Sequence, residues 1–245
     1  MDDKDEIVQR LTTQLNRAAH LRSLARAEPG TADRRQSLRT WQADRLARTH
    51  VDLLASKRFG SAAAFFLTDI YSAKDVGGRD QALDRVVPLM SKFLPVSGLE
   101  TVVDAIELDA LSEDLDAAMV AALGQQINAI NAAAYGDAYR KVDRRKDRER
   151  QIQLIQHLGQ SLDRLARKRF AGTALALARK PAQLAGFGDL QEFAERGYNA
   201  CRQMGSVDEF MNLVVKREQR ILEALFAGDD SVLSEGPAPG SAAAT

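Results

Sequence analysis

The chain is poor in the residues that usually announce a chemistry. Of its 245 residues one is cysteine, one tryptophan and six proline, and aromatic residues make up 6%. A lone Cys201 cannot close an intramolecular disulfide or supply a paired-cysteine metal site. It reads as a buried structural thiol in a reducing compartment. Lysine and arginine total 34 against 34 aspartates and glutamates. No whole-chain field therefore draws in nucleic acid or an anionic membrane. No run of about 18 uninterrupted apolar residues is present to cross a bilayer. The opening "MDDKDEIVQR" is acidic and is not followed by an apolar segment of the signal-peptide type. A cytoplasmic protein without membrane or nucleic-acid partners is the expectation.

The metal and nucleotide motifs are missing too. The histidines are His20, His50 and His157, and none has a glutamate three residues before it. That removes the Glu-x-x-His pairing of helical di-iron bundles, and there is neither an H-E-x-x-H nor a P-loop. No metal site and no cofactor is predicted. Haem, which needs one axial histidine, would have His50 or His157 to use. "DVGGRD" around Gly77 and Gly78 reads as a turn before a helix, and Ser61 in "GSAAA" as a helix cap rather than a nucleophile.

What remains is helix-forming sequence. Ala, Leu, Arg, Gln and Glu dominate, with apolar residues three and four apart, which predicts an all-α fold of about eight to ten helices. A first helix over Asp3 to Ala27 carries Ile7, Leu11, Leu15, Ala18 and Leu21 on one stripe and stops at "EPG". A second runs from about Asp33 to Ser56, with Thr31 and Asp33 as caps. A helix over about Gln125 to Val142 links what comes before to what comes after, and Gly124 ends the helix preceding it. The sequence "GDDSVLSEGPAPGSAAAT" reads as a disordered tail over residues 228–245.

One stretch is written twice. "VDLLASKRFGSAAAFFL" (51–67) and "LDRLARKRFAGTALALA" (162–178) share Asp52/Asp163, Leu54/Leu165, Ala55/Ala166, Lys57/Lys168, Arg58/Arg169, Phe59/Phe170 and Ala63/Ala174. Further along, Asp80 meets Asp189 as N-caps, Pro88 meets Gly197 as helix weakeners, and Ser97 with Glu100 meets Ser206 with Glu209 as capping boxes. The inference is an internal duplication, with units over about 33–123 and 143–227 packing about a pseudo-twofold axis. Residues 1–30 would then be an amphipathic N-terminal helix and 31–227 one compact body. The repeated Lys-Arg-Phe would be a structural corner.

"WQADRLARTHVDLLASKRFGSAAAFFLTDIYSAKD", "LETVVDAIELDALSEDLDAAM", "DRERQIQLI" and "AQLAGFGDLQEFAERGYNACRQMG" together resemble the bacterial FFLEE-motif proteins, an uncharacterised family, over about residues 40–220. The naming motif reads Phe65, Phe66, Leu67, Thr68, Asp69 here, so threonine and aspartate stand where that motif has two glutamates. The resemblance implies membership and carries no activity, ligand or cofactor with it.

Two sets of residues stand out as candidates. Phe65 and Phe66, with Trp41, Arg58, Asp69 and Arg79, would line an apolar pocket between the two units, or simply fill the core. Their counterparts in the second unit are the smaller Ala176 and Leu177. The second set is charge. Phe93 to Tyr139 contains no lysine or arginine but eight acids, Asp104 and Glu107 among them, and "RKVDRRKDRER" follows with seven basic residues against three acidic. Asp104, Glu107, Arg144 and Arg145 are thus candidates for an interaction surface, unless these segments pair within the chain. The expected function is a non-catalytic helical interaction or scaffold protein, able to self-associate through its first helix. A small-molecule-binding protein or enzyme using the pocket is the alternative.

Overall fold

In the computed structural model, which describes residues 3–27, 29–67, 91, 96–184, 188–205 and 207–236, the chain is all-α, with no strand among the described residues. Ten α-helices are described there: α1 (Asp3–Ala27), α2 (Thr31–Thr49), α3 (Val51–Ala55), α4 (Gly60–Phe65), α5 (Val96–Leu123), α6 (Ala132–Val142), α7 (Arg145–Ala166), α8 (Ala171–Leu184), α9 (Gly188–Met204) and α10 (Val207–Ala227). Two 3-10 turns, Gly124–Ala129 and Ser231–Leu233, complete them.

The acid-rich α5 is the central rod. α1 lies along it, and Ile7, Leu11 and Leu15 meet Leu99 and Val103 in a small core. The first-helix stripe is thus spent inside the chain, against α5, rather than left for a second molecule. α7 packs on another side of α5, with α10 behind it, and this main core gathers Leu53, Phe59, Phe66, Leu111, Leu115, Leu154, Phe210 and Met211. The third core joins the end of α5 to α2, α6 and α10, through Leu38, Met119, Tyr135, Tyr139 and Leu225.

Several boundaries differ from the sequence reading. Neither Thr31 nor Asp33 caps α2: Thr31 is already helical, and Gly30 precedes it in the left-handed region at φ 74°. The long second helix breaks at His50. There the Thr49 carbonyl accepts from the Arg217 guanidinium at 3.2 Å, a tertiary bond no local pattern announces. The linker is a 3-10 turn followed by α6, whose cap is Asn131 accepting from the Ala134 amide at 2.9 Å. Gly124 does turn the chain, at φ 54°.

Part of the stretch expected to be a disordered tail packs on the fold. Val232 and Leu233 are buried in the third core, and Asp230 receives Arg140 at 2.7 Å. Gly136 makes that docking possible, because a Cβ there would stand 1.9 Å from an Asp230 carboxylate oxygen. The acidic "GDD" thus docks on a basic helix instead of ending the fold at residue 228.

The repeated stretches do turn alike. Each has a helix ending at the shared alanine (Ala55, Ala166), a four-residue break (56–59, 167–170), and a new helix at the residue after phenylalanine. Ala63 and Ala174 donate to the Phe59 and Phe170 carbonyls, both at 2.8 Å. The remaining marks do not extend this. Asp80, Pro88 and Ser206 lie outside the described residues, while Ser97 is already inside α5. Gly197 is a packing residue in mid-helix rather than a weak point: its missing Cβ would stand 2.9 Å from the Phe65 ring.

Candidate functional site

The described members of the proposed pocket, Trp41, Arg58, Phe65 and Phe66, are divided between two cores. Phe65 and Phe66 are buried in the main core, and Phe66 meets Phe210 edge-on at 6.1 Å. Trp41 belongs to the other core, stacked on Tyr135 at 4.3 Å. Arg58 donates from Nε to the Met204 carbonyl at 3.0 Å and pairs with Glu209 at 2.7 Å. Asp69 and Arg79 lie outside the described residues. Two concavities among the described residues are open surface grooves. One lies along Glu6, Gln9, Arg10 and Thr13 of α1, and the other lies between Arg145, Ile152, Gln219 and Leu222 of α7 and α10. Among the described residues no group of three or more His, Cys, Asp and Glu is arranged to hold a metal ion.

The charge candidates are engaged internally. Asp104 lies 2.7 Å from His157 Nδ1, Glu107 the same distance from Arg150, and Arg144 pairs with Asp114 at 2.9 Å and with its own neighbour Asp147. Arg145 pairs with Glu149 at 2.9 Å and lies over the Phe226 ring. Toward α1 and α2, Asp109 takes Arg22, Glu113 takes Arg35 and Arg39, and Asp116 takes Arg39. α5 is therefore an acidic rod inside a basic sleeve. Glu113 and Asp116 are buried, so these pairs are not a solvated face. Burial pushes the Asp116 carboxyl up, against the pull of Arg39.

A second polar cluster was not anticipated. α2 delivers Arg45, the break after it His50, and α3 Asp52. α10 answers with Arg217 and Glu218. Arg45 donates to both Glu218 oxygens at 2.7 and 2.8 Å, and His50 Nε2 stands 3.2 Å from one of them. Arg217 holds Asp52 bidentately, both bonds 2.7 Å. Its Nη1 also lies 3.4 Å from His50 Nδ1. Arginine can only donate, so this contact makes Nδ1 the acceptor and Nε2 the protonated nitrogen that donates to Glu218. Both ring nitrogens of His50 are thereby engaged, and Nδ1 of His157 faces Asp104.

Burial alone would raise the Glu218 carboxyl, but Arg45 and His50 outweigh it and hold it down at about 2. A sequence signal for this cluster existed. Glu218 sits on the stripe Val214, Ile221, Leu225 of α10, where a charge needs a buried partner.

Among the described residues, the most exposed large apolar side chains lie on the second corner. Phe170 is 70% and Leu177 74% exposed, and Thr173 and Ala174 between them are exposed as well. Spacings of three and four place these residues on one face of α8 and its lead-in. The inner side of α8 is held by α9: Gly172 admits the Tyr198 hydroxyl, Gln191 donates to the Leu175 carbonyl at 2.6 Å, and Arg179 pairs with Glu195. The same four positions of the first corner are Phe59, Ala62, Ala63 and Phe66, and all four are buried. One stripe is covered in the first corner and open in the second.

The family model for a domain of unknown function, DUF8198, matches residues 21–232. The chain belongs to that family. DUF8198 membership thus spans α2 to α10 together with the C-terminal end of α1, and it brings no assigned activity. No curated protein and no solved structure matches the chain. No helix of the described residues is long and apolar enough to cross a membrane.

Proposed function

We propose that this DUF8198 chain is a non-catalytic helical interaction protein whose contact surface is the second corner. The observation that carries this reading is the open stripe Phe170, Thr173, Ala174 and Leu177, whose counterpart 111 residues earlier is wholly buried. Large apolar side chains clustered on one exposed face mark interaction sites far more often than scattered single ones do. The acidic segment is a weaker candidate for the contact surface, because Asp104, Glu107, Asp109, Glu113, Asp114 and Asp116 already meet histidine or arginine within the chain. The pocket reading has nothing to favour it where Phe65 and Phe66 fill their own site. A cytoplasmic setting, a duplicated corner and kinship with the FFLEE-motif bacterial proteins belong to the same reading.

The test is a photo-crosslinking amino acid placed at Thr173, between the two large side chains, in the chain expressed in its own host. A discrete adduct is expected, whose partner then co-purifies with the wild type and is lost from the Leu177→Asp variant. The same probe at the exposed Gln153 of α7 is expected to give no such species. Absence of an adduct at Thr173, or an adduct indifferent to Leu177→Asp, would refute the assignment.

A further inference from the structure

The first corner shows what its stripe accepts. There α9 packs on α4, and α10 sets Phe210 against Phe59 and Phe66, with ring centroids 5.7 and 6.1 Å apart. The residue before it, Glu209, reaches the flanking cation Arg58 at 2.7 Å. Arg58 in turn lies over the Phe59 ring at 4.6 Å. The second corner repeats the receiving half of this arrangement. Arg169 occupies the Arg58 position and lies over Phe170 at 5.9 Å. Ala174 repeats Ala63, and Leu177 stands for Phe66.

Around the open stripe the charges are of one sign. Lys168 and Arg169 precede it and Lys180 follows it, all exposed. Two such faces brought together in a symmetric dimer would set these cations against each other, which disfavours a second copy as occupant. A membrane surface is served poorly by two large apolar side chains separated by Thr173 and Ala174. That pattern is a shallow groove between two knobs, the shape a helix fills.

Resting on the reading of the second corner as the contact surface, we infer that its partner is an amphipathic helix presenting an acidic residue next to an aromatic one. The aromatic ring enters between Phe170 and Leu177 over Ala174, and the carboxylate pairs with Arg169. This is the arrangement α10 makes on the first corner, supplied here by another protein.

The experiment uses the full chain and a fluorescein-labelled peptide of residues 207–227, the sequence that covers the first corner. Saturable binding is expected, weakened about tenfold or more by Leu177→Asp or Arg169→Glu in the protein and by Glu209→Lys in the peptide. Combining Arg169→Glu with the Glu209→Lys peptide is expected to restore binding, which a structural role for either residue would not produce. These protein positions are exposed, so the variants retain the wild-type circular dichroism and melting curve. Failure of the peptide to bind overturns the helix assignment, as does binding indifferent to Leu177→Asp, which would report exchange with the chain's own α10. Leu177-dependent co-sedimentation with phosphatidylglycerol vesicles overturns it in favour of a membrane surface. A dimer dissolved by Leu177→Asp overturns it in favour of a second copy. Each result stands apart from the crosslinking test, which asks only whether the corner meets anything.

Discussion

Replacing Arg45 with methionine is the most informative single change for the architecture. Arg45 supplies two hydrogen bonds to the buried Glu218, which would be left with His50 as its remaining close partner in the cluster. Removing one member of a buried ion pair strands a charge and costs about 3–5 kcal/mol. The double variant Arg45→Met with Glu218→Met removes both charges and keeps similar volume. It is expected to recover most of the loss, since well-packed apolar replacements of buried pairs are often neutral or better. The assay is urea unfolding at pH 7 followed by circular dichroism. A shift in midpoint at unchanged slope gives the stability difference directly.

Acid gives an independent check of the same cluster. The Glu218 carboxyl falls from its ordinary value near 4.5 to about 2 on folding. A depressed carboxylate contributes stability that is complete above the unfolded pKa and lost as pH falls through the folded one. The contribution is about 3 kcal/mol, from the size of that shift. The wild type is therefore expected to lose stability between about pH 5 and pH 2, and the double variant to lose less over that window. A cost under about 1 kcal/mol for Arg45→Met, or a double variant no more stable than the single one, would refute the account of a tightly coupled buried pair.

Three other outcomes are expected. Phe59→Ala should cost about 3–5 kcal/mol in urea unfolding, and Phe170→Ala no more than about 0.5; equal costs would mean the second stripe is covered after all. Gly197→Ala should destabilise despite the better helix propensity of alanine, because its methyl meets the Phe65 ring. Phe65→Leu in the same chain should recover part of the loss, and a neutral Gly197→Ala would argue against that contact. Cys201 is buried, and burial foremost, with Asp163 adding to it, pushes its thiol up to about 11. It should react with a thiol reagent at pH 8 at a rate that tracks unfolding by urea, and prompt labelling of the folded chain would contradict its burial.

The helices legible in the sequence were those whose limits are set by local chemistry. α1 ends where "EPG" must end it, and Gly124 turns where a positive φ is required. What was not legible depends on residues far away in sequence. The break at His50 contains no glycine or proline, and the Thr49 carbonyl there accepts from Arg217, 168 positions away. The docked segment after Gly228 looked like a tail because its value lies in the room left by Gly136 and the charge on Arg140. The acidic run of α5 read as surface for the same reason: composition reports that charges are present, and only packing reports that α2 and α7 bring arginines to them.

The repeated corner separates these two kinds of information. Its backbone is local, and both copies turn at the same residues with the same 2.8 Å bond to the phenylalanine carbonyl. Its environment is not. Asp52 faces α10 and receives both arms of Arg217, while the matching Asp163 pairs with Arg167, one turn along its own helix. α10 carries Phe210 and Glu209 to the first corner and none of this to the second, whose outer face stays open. Residues at matched positions thus lock the fold in one place and lie open in the other. A repeat whose two copies were both covered would be only architecture, and the uncovered copy is the surface on which the proposed interaction rests.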